Sequence, residues 1–221
     1  FHYITHKTPF VVLKYAMTLD GKIAAHTGDS RWVTGEAARR HVHETRNRLS
    51  GIMVGVGTVL ADDPLLTCRI DGGRNPVRIV CDSHARTPLG SQLVQTANEI
   101  PTYVAVTARS ERTAALEEKG VRILVCGETD GHVDLTDLMQ QLGSAGINGI
   151  LLEGGSSLAF SALKAGIVRR VQAYIAPKLI GGEDAKSPVG GEGLAKMADA
   201  LALKNVRCTP LSEDFLIEGR L

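Results

Sequence analysis

Five short apolar runs constrain this chain more than anything else in it: 52–56, 77–81, 102–106, 121–125 and 149–152. Each is too short for a buried helix, and most end in Gly, Asp, Ser or Thr, so each reads as a buried strand. Helix patterns separate the later runs, at 110–119 and 134–142, and another follows the last, ending near Gly166. Strands alternating with helices predict a largely parallel sheet covered on both faces. Pro9 to Met17 and Val168 to Ala176 add two strands. The runs 202–209 and 214–221, joined by Pro210-Leu211-Ser212-Glu213, read as a closing antiparallel hairpin. The expected architecture is α/β: a mixed, mostly parallel sheet of about nine strands, with about four helices. No linker divides it, so 9–221 is expected as one domain, with polar residues 1–8 as an arm or interdomain junction.

Local signals place the helices. Thr34 reads as an N-cap with Glu36 in the first turn, opening a helix over 35–49. Ala38, Val42, Thr45 and Leu49 share one of its faces. Arg39, His43 and Arg46 share the next, which suits either a solvated face or a phosphate grip. Ser110 caps the next helix and Gly120 stops it. Asp134 caps another, with Leu135, Leu138, Met139 and Leu142 on one face.

Composition removes several function classes. The 221 residues carry a net charge of +1, so bulk charge points to neither nucleic acid nor a membrane surface. No apolar run reaches the roughly 20 residues of a membrane span. The four cysteines, Cys68, Cys81, Cys126 and Cys208, form no C-x-x-C pair, which argues against a zinc site and a redox dithiol. The opening FHYITHKTPF has no signal-peptide h-region, and a reducing cytoplasm is the expected compartment. The absence of an initial Met marks the chain as a candidate piece of something longer.

The chemistry gathers where strands end. Residues 51–69 run from a strand into Gly57-Thr58 and two carboxylates, Asp62 and Asp63, before Pro64. Asp82-Ser83, Thr107 to Arg109, and Glu153-Gly154-Gly155-Ser156-Ser157 end other strands. In parallel sheets such tips lie on one rim, where ligands bind. Glycines ahead of a helix leave backbone N–H groups for an anion, although a tight capped turn is the plain alternative. Amides, hydroxyls and an arginine suit a phosphorylated dinucleotide, and Thr107 with Arg109 suits an adenosine 2′-phosphate. The Rossmann fingerprint fails, because Leu60 stands where its third glycine belongs. Nucleophile-elbow, phosphate-loop and H-E-x-x-H motifs are absent. Lys14 inside an apolar strand and Trp32 in a glycine-bearing loop are open to structural or functional readings.

Six motifs in order then resemble one family: Lys14 to Gly21 (KYAMTLDG), Thr27 to Thr34 (TGDSRWVT), the Arg46 helix, Val54 to Arg69 (VGVGTVLADDPLLTCR), Leu152 to Ser156 (LEGGS) and Ala176 to Gly182 (APKLIGG). From about Pro9 to Leu221 the chain resembles the reductase domain of the bacterial bifunctional riboflavin-biosynthesis deaminase/reductase. The resemblance implies a dihydrofolate-reductase-like fold and NADPH-dependent reduction of 5-amino-6-(5-phosphoribosylamino)uracil, its ribosyl unit becoming ribityl. It implies cofactor contacts from Ala16, Trp32, Thr58, Asp62, Ser83 and the turn and helix start from Gly155 to Ser161, beside Gly154. It implies substrate contacts from Ser30, Arg46, Leu66, Arg69 and Glu153. Arg46 and Arg69 suit one ribose phosphate, and Glu153 suits ribityl hydroxyls. Lys14 and Asp62 are the candidate proton sources, with Lys14 preferred as a hydrogen-bond donor to the sugar oxygen. Asp63 is expected to be only a turn residue before Pro64.

The upstream zinc deaminase expected in the full-length protein is not encoded here, since H-A-E and P-C-x-x-C are both missing. The partners expected are the small-molecule substrate and other copies of the chain, a homodimer or another homo-oligomer, with no nucleic acid, membrane or metal. A pterin reductase of the same fold and a non-catalytic nucleotide-binding module are the alternatives. The two arginines argue against the first, and joint retention of Lys14, Asp62 and Glu153 argues against the second.

Overall fold

Nine principal strands form, five in one part of the chain and four in another. The structure, a computed structural model, describes residues 1–221. It divides into two units, Phe1–Phe10 with Glu44–Leu152, and Val11–His43 with Glu153–Leu221.

In the first unit, β2 (Gly51–Gly55), β3 (Val77–Cys81), β4 (Thr102–Val106), β5 (Arg122–Val125) and β8 (Gly149–Leu152) pair in the order β8-β2-β3-β4-β5. All four pairings are parallel, as the alternation with helices requires. The central strands are aliphatic because both faces are covered. Ile52, Val54, Val80, Val104 and Val106 join Leu93 and Leu116 in one buried cluster. β5 is the open edge, and its burial falls accordingly. There Arg122 donates to Tyr103 Oη at 3.0 Å and lies 5.5 Å from the centre of that ring.

Helix starts follow their caps. α5 (Glu111–Glu118) opens on Ser110, whose side chain accepts from Thr113 N–H while Thr113 Oγ1 accepts from Ser110 N–H. α6 (Leu135–Ser144) opens on Asp134, which accepts from Thr136 and Asp137 N–H. Three elements here escape the sequence patterns. The arm expected at 1–8 contains a helical turn, α1 (His2–His6), tied by Tyr3 Oη to Gly143 O at 3.0 Å. α4 (Gln92–Gln95) is a single turn without periodicity. β6 (Glu128–Thr129) and β7 (His132–Val133) make a two-stranded ribbon around Asp130-Gly131.

In the second unit, β1 (Phe10–Thr18), β9 (Val168–Ala176), β10 (Lys204–Leu211) and β11 (Asp214–Arg220) pair in the order β10-β11-β9-β1. β1 and β9 are parallel; the β11 pairings are antiparallel, as the hairpin pattern predicts. α2 (Glu36–Arg48) starts in this unit, where its Ala38 and Val42 pack on Tyr174 and Leu216. It begins one residue later than the Thr34 cap implies. Gly35 N–H instead donates to Asp214 Oδ2 at 2.7 Å, so a carboxylate from β11 serves the helix start. α7 (Ser156–Lys164) follows the glycine pair. No helix of the chain is long and apolar enough to cross a membrane.

Candidate functional site

The second unit holds the Lys14 group. Lys14 lies mid-way along β1, and β9 places Gln172 beside it and Tyr174 two residues on. Its Nζ stands 3.7 Å from Glu153 Oε2, with both side chains largely withdrawn from solvent at 17% and 7% exposure. The same ammonium lies 5.8 Å from the centre of the fully buried Tyr174 ring. Tyr174 Oη is 2.8 Å from His41 Nδ1 on α2. Carboxylate and ring face together hold the ammonium in place. The adjacent Ala16 packs against the Ala38, Val42, Tyr174 and Leu216 cluster.

Glu153-Gly154-Gly155 leads into α7. Gly155 has φ 77, and no side chain caps the helix, so the first-turn amides at Ser156 and Ser157 carry no side-chain cap. That is the chemistry of an anion cradle, and it fits a dinucleotide pyrophosphate.

Ser30 and Trp32 line a pocket of about 290 Å³ with Thr18, Lys22, Lys178 and Leu179. Lys178 is part of its lining, and Arg39 and Asp20 hold the segments that line it. Lys178 Nζ donates to the carbonyls of Trp32 and Val33 at 3.1 and 3.0 Å. Arg39 lies 4.6 Å from the Trp32 ring centre and donates to Thr34 O at 2.7 Å. Asp20 accepts Gly181 N–H at 2.7 Å and Ile180 N–H at 3.2 Å, and the Thr18 hydroxyl followed by the Gly181 amide holds its carboxyl below the usual range. Asp20 and Lys178 lie inside the LDG and APKLIGG motifs, where the signal for them was present.

The first unit holds the rest. Thr58 stands in the first turn of α3 (Val56–Asp62), and Asp62 is its last residue, exposed. The loop after α3 carries Leu66, buried, and Arg69, exposed. Arg46, on α2, donates to Thr67 O at 2.8 Å in that loop. Ser83 Oγ accepts Val133 N–H at 3.0 Å, and Thr107 Oγ1 donates to Ser83 O at 3.0 Å. Arg109 is paired with Glu117 at 2.8 Å on the surface. The residues chosen for an adenosine 2′-phosphate thus meet partners of their own unit.

Fold and residues together define an α/β protein of the dihydrofolate-reductase-like class, with a lysine–carboxylate pair whose carboxylate leads into glycine-led amides. The chain belongs to the RibD C-terminal domain family, whose model matches residues 9–217. It is 52% identical over 219 residues to the riboflavin biosynthesis protein RibD of Actinobacillus pleuropneumoniae, covering 99% of this chain and 58% of that protein. The chain therefore spans little more than half the length of that relative. It is 46% identical over 215 residues to the 2,5-diamino-6-ribosylamino-4(3H)-pyrimidinone 5′-phosphate reductase of Methanothermobacter thermautotrophicus, covering 95% of this chain and 97% of that one. A crystal structure from Thermotoga maritima, described as a diaminohydroxyphosphoribosylaminopyrimidine deaminase/5-amino-6-(5-phosphoribosylamino)uracil reductase, matches with TM-score 0.79 and 33% identity. That match covers 99% of this chain and 58% of the other.

Proposed function

We propose that this chain reduces 5-amino-6-(5-phosphoribosylamino)uracil with NADPH, giving the ribitylamino product of riboflavin biosynthesis. The Lys14–Glu153 pair at 3.7 Å carries the reading. Reduction of a closed sugar needs its ring oxygen protonated as the bond to the anomeric carbon breaks. Lys14 donates that hydrogen bond and then the proton; Glu153 aims the ammonium and accepts from the sugar hydroxyls. NADPH, when bound, would supply the hydride. Asp62 is the second candidate for the proton. Arg46 and Arg69 grip the ribose phosphate, while Leu66 and Ser30 line the substrate. Ala16, Trp32, Thr58, Asp62, Ser83 and the Gly154 to Ser157 amides contact the cofactor. Thr107 and Arg109 take the adenosine 2′-phosphate. Arg109 must leave Glu117 to do so, a small demand because exposed ion pairs contribute ~1 kcal/mol or less.

Two relatives support this by name, one called the pyrimidinone phosphate reductase and one RibD. In the full-length protein a zinc deaminase domain precedes this one. The chain works in the cytoplasm, where its four free cysteines stay reduced. It assembles with copies of itself, a reading supported by the exposed apolar side chains Met197, Leu201, Val206 and Phe215 around the hairpin. The test follows NADPH oxidation with the phosphoribosylamino-pyrimidine, and with dihydrofolate as control. Turnover with the first alone is expected, and no turnover with it sinks the reading. Lys14→Met is expected to lower kcat by roughly 10²–10⁴-fold. Arg69→Ala is expected to raise the KM for the sugar phosphate, and an unchanged KM removes Arg69 from the phosphate grip.

A further inference from the structure

The loop that joins α3 to β3 is held in an unfavourable shape. Asp63 and Leu66 both lie in the left-handed region, at φ 39 and 52. Neither is glycine, and a buried leucine there is an outlier that its surroundings must enforce. The enforcing contacts are visible. Asp63 Oδ1 accepts Gln92 N–H at 2.8 Å, and Asp63 O accepts from the Gln92 side-chain amide. Two residues on, Leu65 O meets Arg78 Nη1 at 3.4 Å. Thr67 O is held by Arg46, and Cys68 N–H donates to Asn75 Oδ1 at 2.9 Å.

Gln92 is the first residue of α4. Ser91, placed to cap that turn, makes no side-chain cap bond, and its Oγ is buried without a hydrogen-bond partner. Asp63 therefore supplies from the loop the acceptor that α4 lacks locally. α4 is itself anchored from beneath, since Arg78 Nη2 donates to the carbonyls of Leu93, Thr96 and Ile100. Loop and turn make one block resting on a buried guanidinium.

We propose that Asp63 and Gln92 form a clasp that positions the 63–69 loop, and with it Leu66 and Arg69, for the sugar phosphate. This rests on the substrate reading above, but goes beyond it. Asp63 and Gln92 act through the loop and are positioning residues. Both are exposed, so their variants are expected to fold.

The test compares Asp63→Ala, Gln92→Ala and Asp63→Asn by steady-state kinetics and by amide hydrogen exchange over residues 65–69. Asn keeps the side-chain acceptor and tolerates the left-handed backbone. The two alanine variants are expected to raise the KM for the sugar phosphate roughly tenfold, as small misplacements of binding groups do, with kcat and the KM for NADPH within about twofold. Exchange over 65–69 is expected to accelerate in both, and Asp63→Asn to restore both measures. Folded alanine variants with unchanged exchange and unchanged KM overturn the clasp. So does a uniform loss of kcat with a lowered unfolding midpoint, which marks a general structural role. Should the wild type turn over no phosphoribosylamino-pyrimidine, the substrate reading falls, while local exchange still decides whether the clasp exists.

Discussion

Arg78 is fully buried, and its hydrogen-bond partners are neutral. Its guanidinium donates to the hydroxyls of Thr102 and Thr96 and to the carbonyls of Leu65, Leu93, Thr96 and Ile100. Burial pulls it down to about 10, against the opposing charge of Glu99. Arg78→Met keeps much of the volume but strands several acceptors, each costing about 1–3 kcal/mol when left unpaired and buried. A loss of roughly 3 kcal/mol or more is expected, read from the denaturant midpoint at unchanged slope. Within V-R-I-V-C nothing distinguishes this arginine from a surface one, because its acceptors come from residues 65 to 102, remote along the chain. Lys14 was legible, being a charge inside an apolar run with a matching motif. Its tie through Tyr174 to His41 was not, since helix and strand meet only in the folded unit. A second residue-scale contrast lies in the thiols. Burial pushes Cys126 up to about 12, with the carboxylates of Asp137 and Asp134 adding to the shift, whereas Cys208 is exposed on β10. Iodoacetamide at mildly alkaline pH is expected to label Cys208 quickly and Cys126 only on unfolding, as peptide mapping will show.

At the scale of elements, what local chemistry determines was legible. α5 and α6 begin where Ser110 and Asp134 cap them, and the hairpin falls within two residues of its expected ends. What distant groups determine was not. α2 starts at Glu36 under the influence of Asp214, and α4 relies on Asp63. Asp134 also gives a pH dependence. The Asp137 amide first, then the Thr129 hydroxyl, lower its folded pKa. A depressed carboxylate contributes stability that is present above its unfolded pKa and fades as pH falls through the folded one. Asp134→Ala is expected to cost about 1 kcal/mol near neutrality. The difference from wild type should shrink in acid, as thermal melts across that range will show.

For the whole molecule, nine principal strands and the closing hairpin were legible because the apolar runs are short and evenly punctuated. The division into two units was not, since both are discontinuous and their three boundaries fall inside β1, inside α2 and at the end of β8 rather than in linkers. That arrangement has a consequence for synthesis. Every segment of the first unit has left the ribosome once Leu152 has, so its five-strand sheet is free to form on the nascent chain. β1 is made at the outset, but its pairing with β9, which sets Val12 beside Arg170, forms only once β9 has been made. At about 5–20 residues per second that delay is on the order of ten seconds. Throughout it, the edge of β1 that β9 will cover, along Val11, Val12 and Leu13, is left without that partner.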